Sequence, residues 1–64
     1  MLTLTKTQQR EVGTTLARLP VLGADYAARS LSALYRSAMK QSQQRELLAI
    51  AVAYKLASNP EFII

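Results

Sequence analysis

The run Leu47-Leu48-Ala49-Ile50-Ala51-Val52-Ala53-Tyr54 constrains this chain most, because no charged or hydrogen-bonding side chain interrupts it until Tyr54. Its alanines favour a helix of about four turns. Ser42 suits the N-cap, and Asn59-Pro60 suits a helix stop, since proline disfavours helical geometry in the residue before it. At about 100° per residue, Leu47, Leu48, Ile50, Val52, Tyr54 and Leu56 fall almost all round that helix. A helix apolar on all sides asks to be covered on all sides. A chain of 64 residues has little material for that, so the expectation is a homodimer sharing this helix as its seam.

The same stretch also alternates with strand period, Leu48, Ile50, Val52, Tyr54 and Leu56 against Ala49, Ala51, Ala53 and Lys55. Alanine is a poor strand former and the polar lead-in is helical in character, so helix is the preferred reading. The run is too short for a membrane span. Eight residues cover about 12 Å as a helix, against the ~30 Å of a bilayer core.

At 64 residues the expectation is one small helical dimerisation domain spanning residues 1–64. Half of the residues are apolar, which predicts a packed fold rather than disorder. The absence of cysteine and histidine removes disulfides, most zinc-type sites and the usual proton-transfer residue. No signal-peptide pattern opens the chain, and cytoplasmic location is expected. The net charge of +4 permits contact with nucleic acid or an acidic partner without requiring it.

Met1-Leu2-Thr3-Leu4-Thr5 alternates and reads as a short extended or strand segment, with a frayed terminus as the alternative. Lys6 to Leu19 is ambiguous. Thr5 with Gln8 can form a capping box, and Val12, Leu16 and Leu19 recur at helical spacing. Gly13-Thr14-Thr15 is a poor helix centre, so a strand from Thr14 to Leu19 competes with a short or irregular helix, which is preferred. Pro20-Val21-Leu22-Gly23 reads as a connector with Val21 and Leu22 packed inward.

A helix from Ala24 or Asp25 to about Lys40 is the clearest expectation. Ala27, Ala28, Leu31, Leu34, Tyr35, Ala38 and Met39 share its apolar face, with Arg29, Ser32, Arg36 and Lys40 opposite. Lys40 to Gln44 interrupts that stripe and predicts a bend before the next helix, although one long helix remains open. The fold class expected is therefore mainly α. Two principal helices follow a short N-terminal extended segment, with an extra short helix possible, in an intertwined homodimer.

Catalysis finds little to work with. Glu11, Asp25, Glu46 and Glu61 are scattered, and the serines have no histidine to activate them. Gly13 and Gly23 make no phosphate-binding loop. No enzyme activity, cofactor or metal is expected. Two binding surfaces are. Arg29, Arg36 and Lys40, with Arg45 just beyond, form a basic face for nucleic acid or an acidic partner, or simply a solvated face. Met39 with the tail residues Phe62, Ile63 and Ile64 marks an apolar cleft for a partner helix, unless the tail itself fills it. Tyr35 and Tyr54 suit core or interface packing, and Tyr26 near Arg29 is the one tyrosine placed for base stacking. The expected dimer core is Leu31, Leu34, Tyr35, Leu47, Leu48, Ile50, Val52, Tyr54 and Leu56.

Leu19-Pro20 before one helix, and Glu46-Leu47-Leu48 with Ala53-Tyr54-Lys55-Leu56 in the next, resemble fragments of ribbon-helix-helix repressors. The first helix is too long for that family, the usual glycine turn is missing, and the extended segment lacks alternating base-reading side chains. From Met1-Leu2-Thr3-Leu4-Thr5-Lys6-Thr7-Gln8-Gln9-Arg10 through Leu34-Tyr35-Arg36-Ser37-Ala38-Met39-Lys40 to Pro60-Glu61-Phe62-Ile63-Ile64, the whole chain resembles a small early protein of lambda-type temperate phages, encoded between the recombination and excision genes. That resemblance implies an intertwined helical homodimer with a short strand that favours lytic over lysogenic development. The expected partners are a second copy and a host or phage protein, in the host cytoplasm. A small dimeric DNA-binding regulator is the alternative.

Overall fold

The structure, a computed structural model, describes residues 3–63. Its first helix, α1 (Lys6–Ala17), opens on the capping box that Thr5 and Gln8 suggest. The Gln8 amide donates to Thr5 Oγ1 at 3.1 Å, and the Thr5 amide donates to Gln8 Oε1 at 2.8 Å. Two donors that a helix start leaves orphaned are thereby satisfied, and Gly13-Thr14-Thr15 does not break the helix behind them. The strand alternative for this segment does not form.

Arg18 alone separates α1 from α2 (Leu19–Ser37). Gly23 interrupts α2 with φ 90° and ψ 170°, so Leu19–Leu22 is one turn and the helix proper begins at Ala24, as the spacing predicts. Positive φ is the reason glycine stands there. Val21 and Leu22 do not pack inward. Gly23 redirects the chain so that they are 83% and 50% exposed.

The helix proper ends at Ser37, short of Lys40, because Ala38 turns extended at ψ 132°. Tyr35 O, one of the carbonyls this leaves open, accepts from the Ala38 amide and from Gln44 Nε2, each at 3.3 Å. Ala38–Lys40 is therefore a real break, and 24–58 is not one helix. The helix α3 (Gln41–Ala53) follows. Lys40, not Ser42, is its N-cap, and it makes no side-chain cap bond.

Asn59-Pro60 does not end α3. The stop comes at Ala53, where Lys55 adopts φ 60° and the Leu56 and Lys55 amides bond back to Ala51 O at 2.7 Å and Val52 O at 3.0 Å. This is a Schellman closure with lysine where glycine is usual. Its hydrophobic partner is present, since Leu56 is buried against the same core as Ala51.

Both α1 and α3 pack on α2, and no Cα of α1 lies within 8 Å of one in α3. The core is Leu4, Val12, Ala27, Ala28, Leu31, Leu47, Ala51, Leu56 and Phe62. Alanines at the α2 contact let the helices approach closely, so three fully buried leucines, Leu31, Leu47 and Leu56, suffice to fill the centre. Ser32 joins the buried side rather than the polar face, and its hydroxyl is satisfied by Arg29 O at 3.2 Å. The Cα radius of gyration is 10.6 Å, against about 10.7 Å for a compact single chain of this length.

Two irregular segments close the core. Thr3–Thr5 lies along α3, where the Thr3 amide and hydroxyl donate to Glu46 Oε1 at 2.8 and 2.9 Å and Gln43 Nε2 donates to Thr3 O at 3.3 Å. Leu4 is thereby pressed into the core. The rest of the expected strand, Met1 and Leu2, lies outside the described residues. The tail runs over α2: Asn59 Nδ2 donates to Asp25 Oδ1 at 3.0 Å, Glu61 pairs with Arg29 at 3.5 Å, and Phe62 meets Tyr35 edge-on with centroids 6.3 Å apart.

Candidate functional site

The apolar run of α3 divides into two sides. Gln43, Leu47 and Ala51, spaced by four, form the buried stripe facing α2. Leu48 and Ile50 stand half-buried at its borders. Val52 is 61% exposed and Tyr54 49%. Of the residues expected in a shared core, Leu31, Leu47 and Leu56 are buried by their own chain, while Leu34 and Tyr35 pack partly against them. The all-round burial inferred from the wheel is not met within one chain. The Schellman stop also takes Tyr54, Lys55 and Leu56 off the helix.

The residues expected to line an apolar cleft around the tail differ in exposure. Phe62 is a core residue at 8% exposure rather than a cleft wall. Met39 stands alone at the α2–α3 turn, 93% exposed, and Ile63 is 57% exposed. Ile64 lies outside the described residues.

The basic face is partly dismantled. Arg29 pairs with Glu61, both partly exposed, a contact contributing about 0.5 kcal/mol or less after screening. Arg36, Lys40 and Arg45 remain exposed around the α2–α3 turn. The carboxylates stay dispersed: Asp25 accepts from Asn59, Glu61 faces Arg29, and Glu46 holds Thr3. Glu46 Oε2 is buried with no partner among the described residues. No cluster of three or more potential metal ligands forms among the described residues. No helix there is long and apolar enough to cross a membrane.

One feature is not legible as a site in the sequence. An open groove of about 610 Å³ lies between α1 and α2, with Arg10, Glu11 and Thr14 on one side and Tyr26, Ser30 and Ser37 on the other. Ala33 and Leu34 contribute its apolar lining, and Thr15 is buried within it. Tyr26, read only for base stacking beside Arg29, sits here instead. The neighbouring polar side chains of Arg18 and then Ser30 hold its phenol below the ordinary value of 10.0. A depressed acid favours the fold only where the ionised form is populated, so this linkage appears on the alkaline side and is lost as pH falls through the folded value. The signal that points to the groove is the small polar stripe Tyr26, Ser30, Ala33 and Ser37, at helical spacing on the side of α2 that faces Thr14.

Compared with protein-family models, curated proteins and solved structures, the chain finds no match.

Proposed function

We propose that this chain is a non-enzymatic interaction protein that works as a homodimer, joined through the outer side of α3. The observation that carries this reading is the exposure of Val52 and Tyr54 beside half-buried Leu48, an apolar side that no described segment of the chain covers. The N-terminal segment is engaged on another edge of α3, and the tail is engaged on α2. A second copy therefore supplies the cover. The copies meet face to face across this side of α3, each keeping Leu47 within its own core. A standard interface takes about 800 Å² from each partner, under a fifth of the 4353 Å² surface.

Sedimentation equilibrium tests this directly. Dimers are expected at micromolar concentration and monomers for Val52→Asp, with the helical circular-dichroism signal retained. A monomeric unaltered chain would sink the proposal. Association should strengthen with salt, because Arg45 and Lys55 flank the face and repel their counterparts in the second copy.

The resemblance to small early phage proteins gives this activity a setting. In the host cytoplasm, the dimer engages a host or phage protein and favours lytic development. An unchanged lysogenic frequency in a phage lacking the chain would count against that setting.

The second reading is a small DNA-binding regulator. Exposure of Arg36, Lys40 and Arg45 around one turn favours it. Duplex binding that weakens steeply with salt and disappears in Arg36→Glu supports it, the opposite salt trend to dimerisation.

A further inference from the structure

We propose that α2 and α3 form a helix-turn-helix whose second helix reads duplex DNA in the major groove through Gln41, Ser42 and Arg45. This rests on the DNA-binding reading above and adds sequence selectivity to it.

The connection has the right length. Only Ala38–Lys40 separates the end of α2 at Ser37 from the start of α3 at Gln41, and helix-turn-helix units are joined by about 3–4 residues. In such units the first residues of the second helix meet base edges, while the first helix crosses the backbone. The start of α3 presents suitable side chains. Gln43 and Leu47 belong to the buried stripe that faces α2. At about 100° per residue, Gln41, Ser42 and Arg45 fall within an arc of about 100° roughly opposite Leu47, and all three are exposed. Gln43 and Gln44 are engaged within the chain, on Thr3 O and Tyr35 O. Ala49, one turn beyond Arg45 on the same side, is exposed and small, so it does not hold the helix away from the floor of a groove about 12 Å wide. Val52 lies about 16 Å further along the axis than Gln41, so this polar end and the apolar end of the same side do not coincide.

Charge and hydrogen-bonding chemistry decide the partner. Residues 35–45 include Arg36, Lys40 and Arg45 and no acid. The carboxylate of Glu46, next in sequence, is held inward: Oε1 accepts from Thr3 and Oε2 is buried. Arg36, at the end of α2, and Lys40, on the connector, are both exposed and suit phosphates, which set position. Base edges then suit the three side chains on α3. An arginine fork pairs with guanine and a glutamine amide with adenine, each through two bonds, and a serine hydroxyl donates or accepts. An acidic protein surface would call on the cations alone. A bilayer fits less well, because Met39, 93% exposed, is the one large apolar side chain exposed over residues 35–45.

The test is selection by the full chain from a library of randomised duplexes, followed by gel shifts on the enriched duplex and a scrambled one. The enriched duplex is expected to bind about a hundredfold tighter, from two base contacts of about tenfold each. Arg45→Lys keeps the charge but loses the planar fork. It should lower that ratio about tenfold and leave the scrambled duplex bound as before. Gln41→Ala should relax the preference at a different base position by a similar factor, about tenfold. Arg36→Gln should weaken both duplexes alike. All three positions are exposed, and an unchanged circular-dichroism spectrum for each variant checks that the fold is kept.

Duplex binding without any enrichment would overturn base reading and leave the DNA-binding regulator standing. Absence of duplex binding at low salt would remove both. An enriched duplex whose preference survives Arg45→Lys and Gln41→Ala would place the reader elsewhere and overturn the assignment to α3. So would polyglutamate, or vesicles rich in phosphatidylglycerol, binding as tightly as the enriched duplex.

Discussion

Leu47 and Val52 are aliphatic neighbours on α3, five residues apart, yet the first is fully buried and the second is 61% exposed. Composition does not distinguish them. What distinguishes them is angle: Leu47 shares its side with Gln43 and Ala51 and faces α2, while Val52 lies well round the cylinder. Gln43 is buried and Val52 is not, so position outranks polarity here. The amide of Gln43 tolerates that place because it donates to Thr3 O.

The widest test of this contrast is truncation of both residues to alanine. Leu47→Ala should cost about 2–5 kcal/mol in urea unfolding, a large part of what a domain this small possesses. Val52→Ala should change the same measurement by about 0.5 kcal/mol or less at concentrations where the chain is monomeric. Equal losses would mean that α3 has no outer side. A smaller effect is expected where α3 ends. Lys55→Gly should raise stability by about 0.5–1 kcal/mol, because glycine adopts φ 60° without the Cβ clash that lysine carries. A loss there would show that the lysine side chain contributes more than its backbone strain removes. A modest effect is expected at the edge of α3. Thr3→Ala deletes the hydroxyl bond to Glu46 but keeps the amide bond, and should cost about 0.5 kcal/mol in the same assay.

Local chemistry was readable at the start of α1 and of the α2 helix proper, but not at the ends of α3, where Ser42 is not the N-cap and Asn59-Pro60 is not the stop. Thr5 and Gln8 announce the start of α1, and Gly23 announces the start of the α2 helix proper. A break between α2 and α3 was expected from the polar interruption at Lys40 to Gln44, but it falls earlier, at Ala38–Lys40, and Gln41–Gln44 already belong to α3. The end of α3 was not readable in this way. Lys55 in a left-handed conformation carries no sequence signal, and it is held by Leu56 returning to Ala51, a consequence of packing. The same limit explains Phe62. Its hydrophobicity required a dock, but only the fold shows that Tyr35 and the core receive it instead of a partner. Within one chain α3 is covered on one side only, which a helical wheel does not show because it gives angles and not the width of the neighbour. Closely packed Ala27 and Ala28 make α2 slim enough to cover only one stripe.

That α1 and α3 both rest on α2, with no close backbone approach between them, has a kinetic corollary. Peeling α1 away breaks one helix contact and the Thr3–Glu46 tether, and leaves the α2–α3 hairpin with Leu31, Leu47 and Leu56 together. Amide protons of α1 should therefore exchange with solvent through partial openings, while those of the α2 centre wait for global unfolding.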